Sequence, residues 1–159
     1  MARIVITDAG PLIAFAGIDA LFILQSLFSE VSVAESVKRE CLAKPGKDCQ
    51  RIETAIDAGW LVICSPELAS EPLSPSLGAG ESDSIRYALQ SPHESLLIVD
   101  DRLARRFALK QGINIVGTVR VLDLAEQRGL IKGAEHSMAE MAAIAYRVTT
   151  DLLAEIRSK

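Results

Sequence analysis

Arg3-Ile4-Val5-Ile6-Thr7-Asp8 is an apolar run closed by a carboxylate, and Leu96-Leu97-Ile98-Val99-Asp100 repeats the arrangement later in the chain. Both runs are apolar at successive rather than alternate positions, the pattern of strands buried on both faces of a parallel sheet. In open α/β sheets the functional crevice lies outside the carboxyl ends of the strands, so Asp8 and Asp100 can face one site. Glu40, Glu81 and Asp101 complete a set of five candidate site acids. Clustered carboxylates repel and raise one another's pKa, so the set needs a positive charge between its members.

The rest of the chain alternates short strands with helical segments. Strand 3–7 leads to helices around 11–16 and 19–28, with Pro11 placed for a first helical turn. Strand 30–33 precedes helix 35–43, closed by the turn signal Lys44-Pro45-Gly46, and helix 48–58 precedes strand 60–64. The segment 65–80 holds three of the six prolines and reads as a loop able to act as a flap. Helix 81–90, strand 96–100, helix 102–111, strand 113–116 and helix 118–128 follow. This repeated β-then-α order predicts parallel strands joined by right-handed crossovers. The expected fold class is α/β: a three-layer α/β/α sandwich around a parallel sheet of four to five strands. The tail at about 135–158 reads as two helices broken and capped near Thr149 and Thr150. In it Met138, Met141, Ala142 and Ala145 recur at helical spacing, a stripe for the chain's own core or for a partner.

A chain of 159 residues, 49% of them hydrophobic, can fill one core, and a single domain over 1–159 is expected. No run approaches the roughly 18 apolar residues that span a bilayer, and no secretory leader is visible. Cys41, Cys49 and Cys64 are odd in number and form no CxxC pair, so they read as reduced thiols of a cytoplasmic protein. A net charge of −4 argues against indiscriminate nucleic-acid binding. Charge placement is more informative. Arg102, Arg105, Arg106 and Lys110 occupy one arc of a predicted helix and Leu103, Ala104, Phe107 and Ala108 the other, giving either a solvated face or a phosphate-gripping strip beside the acids.

Each acid has a structural explanation too. Asp8 would cap the helix near Pro11, Asp100 or Asp101 the helix carrying Arg102, and Glu81 would complement a helix dipole. Glu40 stands near a helix C-terminus, where a carboxylate is unfavourable, so capping does not account for it. Glu35 and Asp83 read as solvent-facing. Leu77-Gly78-Ala79-Gly80-Glu81-Ser82 is no phosphate loop, lacking GxGxxG and Gly-Lys-Ser/Thr. His93 and His136 are lone, which excludes a histidine zinc site, and no GxSxG elbow occurs. An oxygen-only site suits Mg²⁺ or Mn²⁺.

Five stretches together carry a family likeness. They are Ile6-Thr7-Asp8-Ala9-Gly10-Pro11-Leu12-Ile13; Leu27-Phe28-Ser29-Glu30-Val31 leading to Val37-Lys38-Arg39-Glu40; Leu77-Gly78-Ala79-Gly80-Glu81-Ser82; Val99-Asp100-Asp101-Arg102-Leu103-Ala104-Arg105; and Gly117-Thr118-Val119-Arg120-Val121-Leu122. With them, in this order over nearly the whole chain, the protein resembles the PIN domain family, in the branch related to VapC-type toxins of toxin–antitoxin modules. The resemblance implies a metal-dependent ribonuclease. Asp8, Glu40 and Glu81 match family acids, and Asp100 and Asp101 fall at the fourth acidic position, where spacing from the strand favours Asp101 as ligand. Thr118 matches a hydroxyl residue near the site. Ala9 and Gly10 stand where small hydroxyl residues are common after the first aspartate, and Ala34 where proline is frequent.

The expected activity is hydrolysis of RNA phosphodiesters with Mg²⁺ or Mn²⁺ held by Asp8, Glu40, Glu81 and the 100/101 pair, and with Arg102, Arg105 or Arg106 gripping flanking phosphates. The resemblance further implies a cognate antitoxin protein and a homodimer. Two alternatives come from other classes. One is a nucleic-acid-binding module or adaptor with a vestigial acidic cluster. The other is an aspartate-nucleophile phosphohydrolase, which would want a second acid at position 10, where glycine stands.

Overall fold

A computed structural model of the chain describes residues 4–65, 73–146 and 150–158. In these residues five strands, β1 (Ile4–Thr7), β2 (Val31–Ala34), β3 (Leu61–Cys64), β4 (Ser95–Ile98) and β5 (Asn114–Val116), form one sheet in the order β3-β2-β1-β4-β5. Every pairing is parallel, with Ile6 opposite both Ser32 and Leu97, and Leu97 opposite Ile115. The helices are α1 (Ala9–Gly17), α2 (Leu21–Phe28), α3 (Glu35–Cys41), α4 (Lys47–Asp57), α5 (Ala79–Leu89), α6 (Arg102–Lys110), α7 (Thr118–Gln127), α8 (Ala134–Ala143) and α9 (Thr150–Ser158).

The successive apolar residues of β1 and β4 serve two cores. Val5 and Ile98 face a cluster built from α1, α2, α7 and α8, including Leu12, Phe15, Leu24, Leu122 and Met141. Ile6, Leu97 and Val99 face a second one with Ile85 of α5 and Ala104 and Ala108 of α6. Burial on both faces is why these strands show no polar alternation. Helices therefore cover both sides of the sheet, and the fold is the expected α/β/α sandwich.

Differences from the sequence reading are local. β2 starts and ends one residue later than expected. Helix α5 starts at Ala79 because the Glu81 carboxylate accepts the Gly78 N–H at 3.0 Å, closing its first turn from one residue before the helix. Strand β4 stops at Ile98, and Asp100 turns out of the sheet line to meet Thr118. Leu103 is exposed while Ala104 and Ala108 are buried, so the apolar arc of α6 is narrower than its composition implies. Met138 and Met141 pack into the chain's own core, Ala142 is half-buried and Ala145 is exposed. Positions 66–72 of the expected flap, and Thr149 of the expected cap, lie outside the described residues.

Cys41, Cys49 and Cys64 are free thiols; burial, with Glu40 next, pushes Cys41 up to about 12. Among the described residues no single helix is long and apolar enough to cross a membrane.

Candidate functional site

With β2 on one side of β1 and β4 on the other, the sheet has its topological switch between β1 and β4, the place where α/β sheets open a crevice at their carboxyl ends. The ladder there runs one step past the strands, the Asp8 N–H donating to the Ile98 carbonyl at 3.0 Å. Asp8 thus emerges beside the residues that follow β4. It occupies the N-cap position of α1 without a side-chain capping hydrogen bond, and it is only 8% exposed. Burial pushes its carboxyl up from 3.8 to about 7; Glu81, Glu40 and Asp101 push the same way, and the Ala9 N–H opposes them.

Glu81 and Asp101 combine a structural job with a place in the acidic group. Glu81 closes the first turn of α5, and Asp101 caps α6 by accepting the Ala104 N–H at 3.0 Å. Burial raises the Glu81 carboxyl, Asp101 and Glu40 add to the rise, and the Gly78 N–H works against it. Glu40 reaches the group from the exposed end of α3. A Cβ on Gly80 would stand 3.0 Å from Val37 Cγ2 and 3.6 Å from Glu40 Oε1, so the missing side chain is what lets α3 lie against the start of α5. Four chain segments therefore bring Asp8, Glu40, Glu81 and Asp101 within mutual electrostatic reach.

Asp100 points elsewhere. Its Oδ1 accepts the Thr118 N–H at 2.8 Å and its Oδ2 accepts the Thr118 hydroxyl at 2.5 Å and the Tyr146 hydroxyl. The fully buried Thr118 opens α7 just after β5, which explains why a hydroxyl is needed there. Tyr146 is the site residue that sequence reasoning missed. Burial, then the neighbouring Asp100 charge, pushes its phenol up, so it stays a donor.

Of the arginines expected along the site, Arg102 and Arg106 are exposed on α6. Arg105 turns inward and donates to the Val99 carbonyl at 2.9 Å, anchoring the end of the β4 segment. Asp83 is not solvent-facing as expected: it accepts the Ser36 hydroxyl at 2.5 Å and pairs with Arg86 at 3.2 Å, so burial of the α3–α5 contact has captured it.

The donor chemistry of the acidic group fits a hard divalent cation: oxygen donors only, and a carboxyl raised first by burial and then by its acidic neighbours, whose charge such an ion would offset. Among the described residues no three His, Cys, Asp or Glu side chains stand, as they are, in an arrangement that could hold an ion. Asp8, Glu40, Glu81 and Asp101 are the residues that would hold one.

Fold and site together define a class, a parallel α/β sandwich with an oxygen-only acidic centre at its switch point. A family model described as DUF3368, PIN domain, matches residues 4–159, and the chain belongs to the PIN domain family. PIN domains are generally nucleases that use divalent metal ions, and the chain is a nuclease-like module. Among solved structures it is similar to a PilT N-terminus domain protein, SSO1118, from the hyperthermophilic archaeon Sulfolobus solfataricus. The TM-score is 0.56 at 17% identity, over 77% of this chain and 93% of that one. That likeness concerns the fold. No curated protein matches the chain.

Proposed function

We propose that the chain is a metal-dependent endoribonuclease that hydrolyses RNA phosphodiester bonds, and that it serves as the toxin of a type II toxin–antitoxin system. The observation that carries the nuclease reading is the state of Asp8, a carboxyl at the end of the central strand raised to about 7 by burial and by three acidic neighbours. Such an arrangement is unfavourable unless it has a use for a cation. The toxin assignment rests on the five motif stretches alone.

In this reading Asp8, Glu40, Glu81 and Asp101 hold Mg²⁺ or Mn²⁺. When bound, the cation supplies Lewis-acid polarisation of the scissile phosphate, activation of the attacking water and neutralisation of developing charge. The chain's own residues do the rest. Gly80 and the Ser36–Asp83 bond set Glu40 against Glu81, and Thr118 holds Asp100 in one rotamer. Arg102 and Arg106, exposed next to Asp101, take the flanking phosphates, which orients the strand without reading its sequence. The low exposure of Asp8 keeps bulk water from screening the centre.

The test is cleavage of a mixed RNA substrate by the parent chain and by Asp8→Asn, each with Mg²⁺ and with EDTA. Cleavage by the parent in Mg²⁺ alone is expected, and equal activity in all four conditions rejects the metal centre. The competing reading, a catalytically weak RNA-binding module, is favoured by the separation of the carboxylates. It predicts RNA binding by the parent and no cleavage in any condition.

A further inference from the structure

We infer that Tyr146 is a positioning residue of the acidic centre, its hydroxyl fixing the Asp100 carboxylate from a space that Gly10 leaves open and so anchoring the turn from which the adjacent Asp101 reaches the centre. The inference rests on the reading of that centre as a cation site. Three observations carry it. The first is saturation: a carboxylate has about four acceptor positions, and three of those on Asp100 are filled by the Thr118 N–H, the Thr118 hydroxyl and the Tyr146 hydroxyl. Both acceptor positions of Oδ2 are taken, so the remaining one lies on Oδ1 and its direction is set. Asp100 is thereby pinned between α7 and Tyr146, and the backbone that presents the next residue, Asp101, to the centre is pinned with it, as outer partners fix the groups that hold an ion.

The second observation is the turn that delivers the phenol. At the end of α8 the Tyr146 N–H donates to the Met141 carbonyl at 2.9 Å and the Ala145 N–H to the Ala142 carbonyl at 3.0 Å, the two bonds of a Schellman motif. The left-handed position of that motif, usually glycine, is Ala145 with φ 69°. Strain of this sort persists where the surroundings demand it, and here the turn sends Tyr146 back across the sheet ends to a residue 46 positions earlier.

The third is the space itself. A Cβ on Gly10 would lie 3.0 Å from the Tyr146 hydroxyl oxygen and 3.4 Å from Cε1. Gly10 is two residues past Asp8, inside α1, where its backbone needs no special freedom. Its lack of a side chain is explained by the ring that occupies the place. Of the Tyr146 atoms, the hydroxyl oxygen comes nearest the Gly10 Cβ position, so a side chain there would press first on the atom that bonds Asp100.

The experiment is Mn²⁺ titration by calorimetry on the full chain, with thermal midpoints in EDTA as the folding control, for the parent, Tyr146→Phe, Gly10→Ala and the double variant. Tyr146→Phe keeps the ring and loses the hydroxyl; it should bind Mn²⁺ about ten-fold more weakly or worse while its EDTA midpoint stays near the parent's. Gly10→Ala pushes the hydroxyl away and should show a comparable loss. The double variant should be no weaker than Tyr146→Phe alone, since both changes remove one contact. Parent-like affinity in Tyr146→Phe overturns the inference and leaves the proposed activity standing. If Tyr146→Phe lowers the EDTA midpoint, Gly10→Ala decides by the same criterion. A parent that binds no Mn²⁺ removes both the inference and the nuclease reading.

Discussion

The Ser36 hydroxyl donates to Asp83 Oδ2 at 2.5 Å, joining α3 to α5. Glu40 lies one helical turn beyond Ser36 on the same face, and Glu81 lies two residues before Asp83, so this bond and the close approach at Gly80 together set the distance between two members of the acidic centre. Ser36→Ala should lower stability by about 1–2 kcal/mol in urea unfolding with an unchanged m-value. It should also lower RNA cleavage at saturating substrate. Unfolding without loss of activity would show that the two glutamates are held in place some other way.

Asp8 makes stability depend on pH with a definite sign. Its folded-state pKa, about 7, lies above its ordinary value of 3.8, so between these values the folded chain keeps a proton that the unfolded chain releases. The contribution is fully present below about pH 4 and is lost as pH rises through 7. The parent should therefore lose up to about 4 kcal/mol from this group between pH 4 and pH 8. Asp8→Asn should flatten that part of the profile and exceed the parent in stability at pH 8, measured by denaturant unfolding across the range.

A divalent cation should reverse the same penalty. Mg²⁺ or Mn²⁺ at a hundred times its dissociation constant should stabilise the parent by about 2.7 kcal/mol. The effect should be larger at pH 8 than at pH 5, where a protonated Asp8 competes with the ion, and EDTA should abolish it. Asp8→Asn should show little of it at either pH.

The arginines of α6 should separate into two kinds. In an Asp8→Asn background, Arg102→Ala and Arg106→Ala should each reduce the salt dependence of RNA binding by about one phosphate contact without changing thermal stability. Arg105→Ala should instead destabilise by about 1–3 kcal/mol, because it strips the buried Val99 carbonyl of its donor. Salt titrations of binding and thermal melts on the three variants distinguish these roles.

Arg157 of α9 pairs with Asp123, which is 2% exposed, and with Glu126 and Glu135. Arg157→Ala should release α9 from α7 and speed amide hydrogen exchange over residues 150–158, while exchange in β1 and β4 stays slow.

What could be read from the sequence follows the physics of burial. Strands covered on both faces must be apolar throughout, so the point where such a run meets an aspartate marks both a strand end and a site edge, and Asp8 and Asp100 stand out for that reason. Glu40 stood out by elimination, since no capping account covered it. Tyr146 gave no comparable signal. The turn that aims it carries alanine where glycine would have advertised the left-handed residue, and its partner is remote in sequence. The inward turn of Arg105 was equally hidden, because helical spacing places four basic residues on one arc without saying which of them meets a buried carbonyl past a strand end. Asp83 looked like any first-turn acid until the packing of α3 supplied Ser36.

The strand order has a consequence for biosynthesis. The first strand to leave the ribosome is the middle of the sheet, and one of its two neighbours, β4, together with Asp101 is among the later segments to emerge. A nascent chain that stops short of β4 owns Asp8, Glu40 and Glu81 but neither the flanking strand nor the last acid. On the proposed function, the acidic centre therefore stays incomplete until the segment carrying Asp101 has emerged.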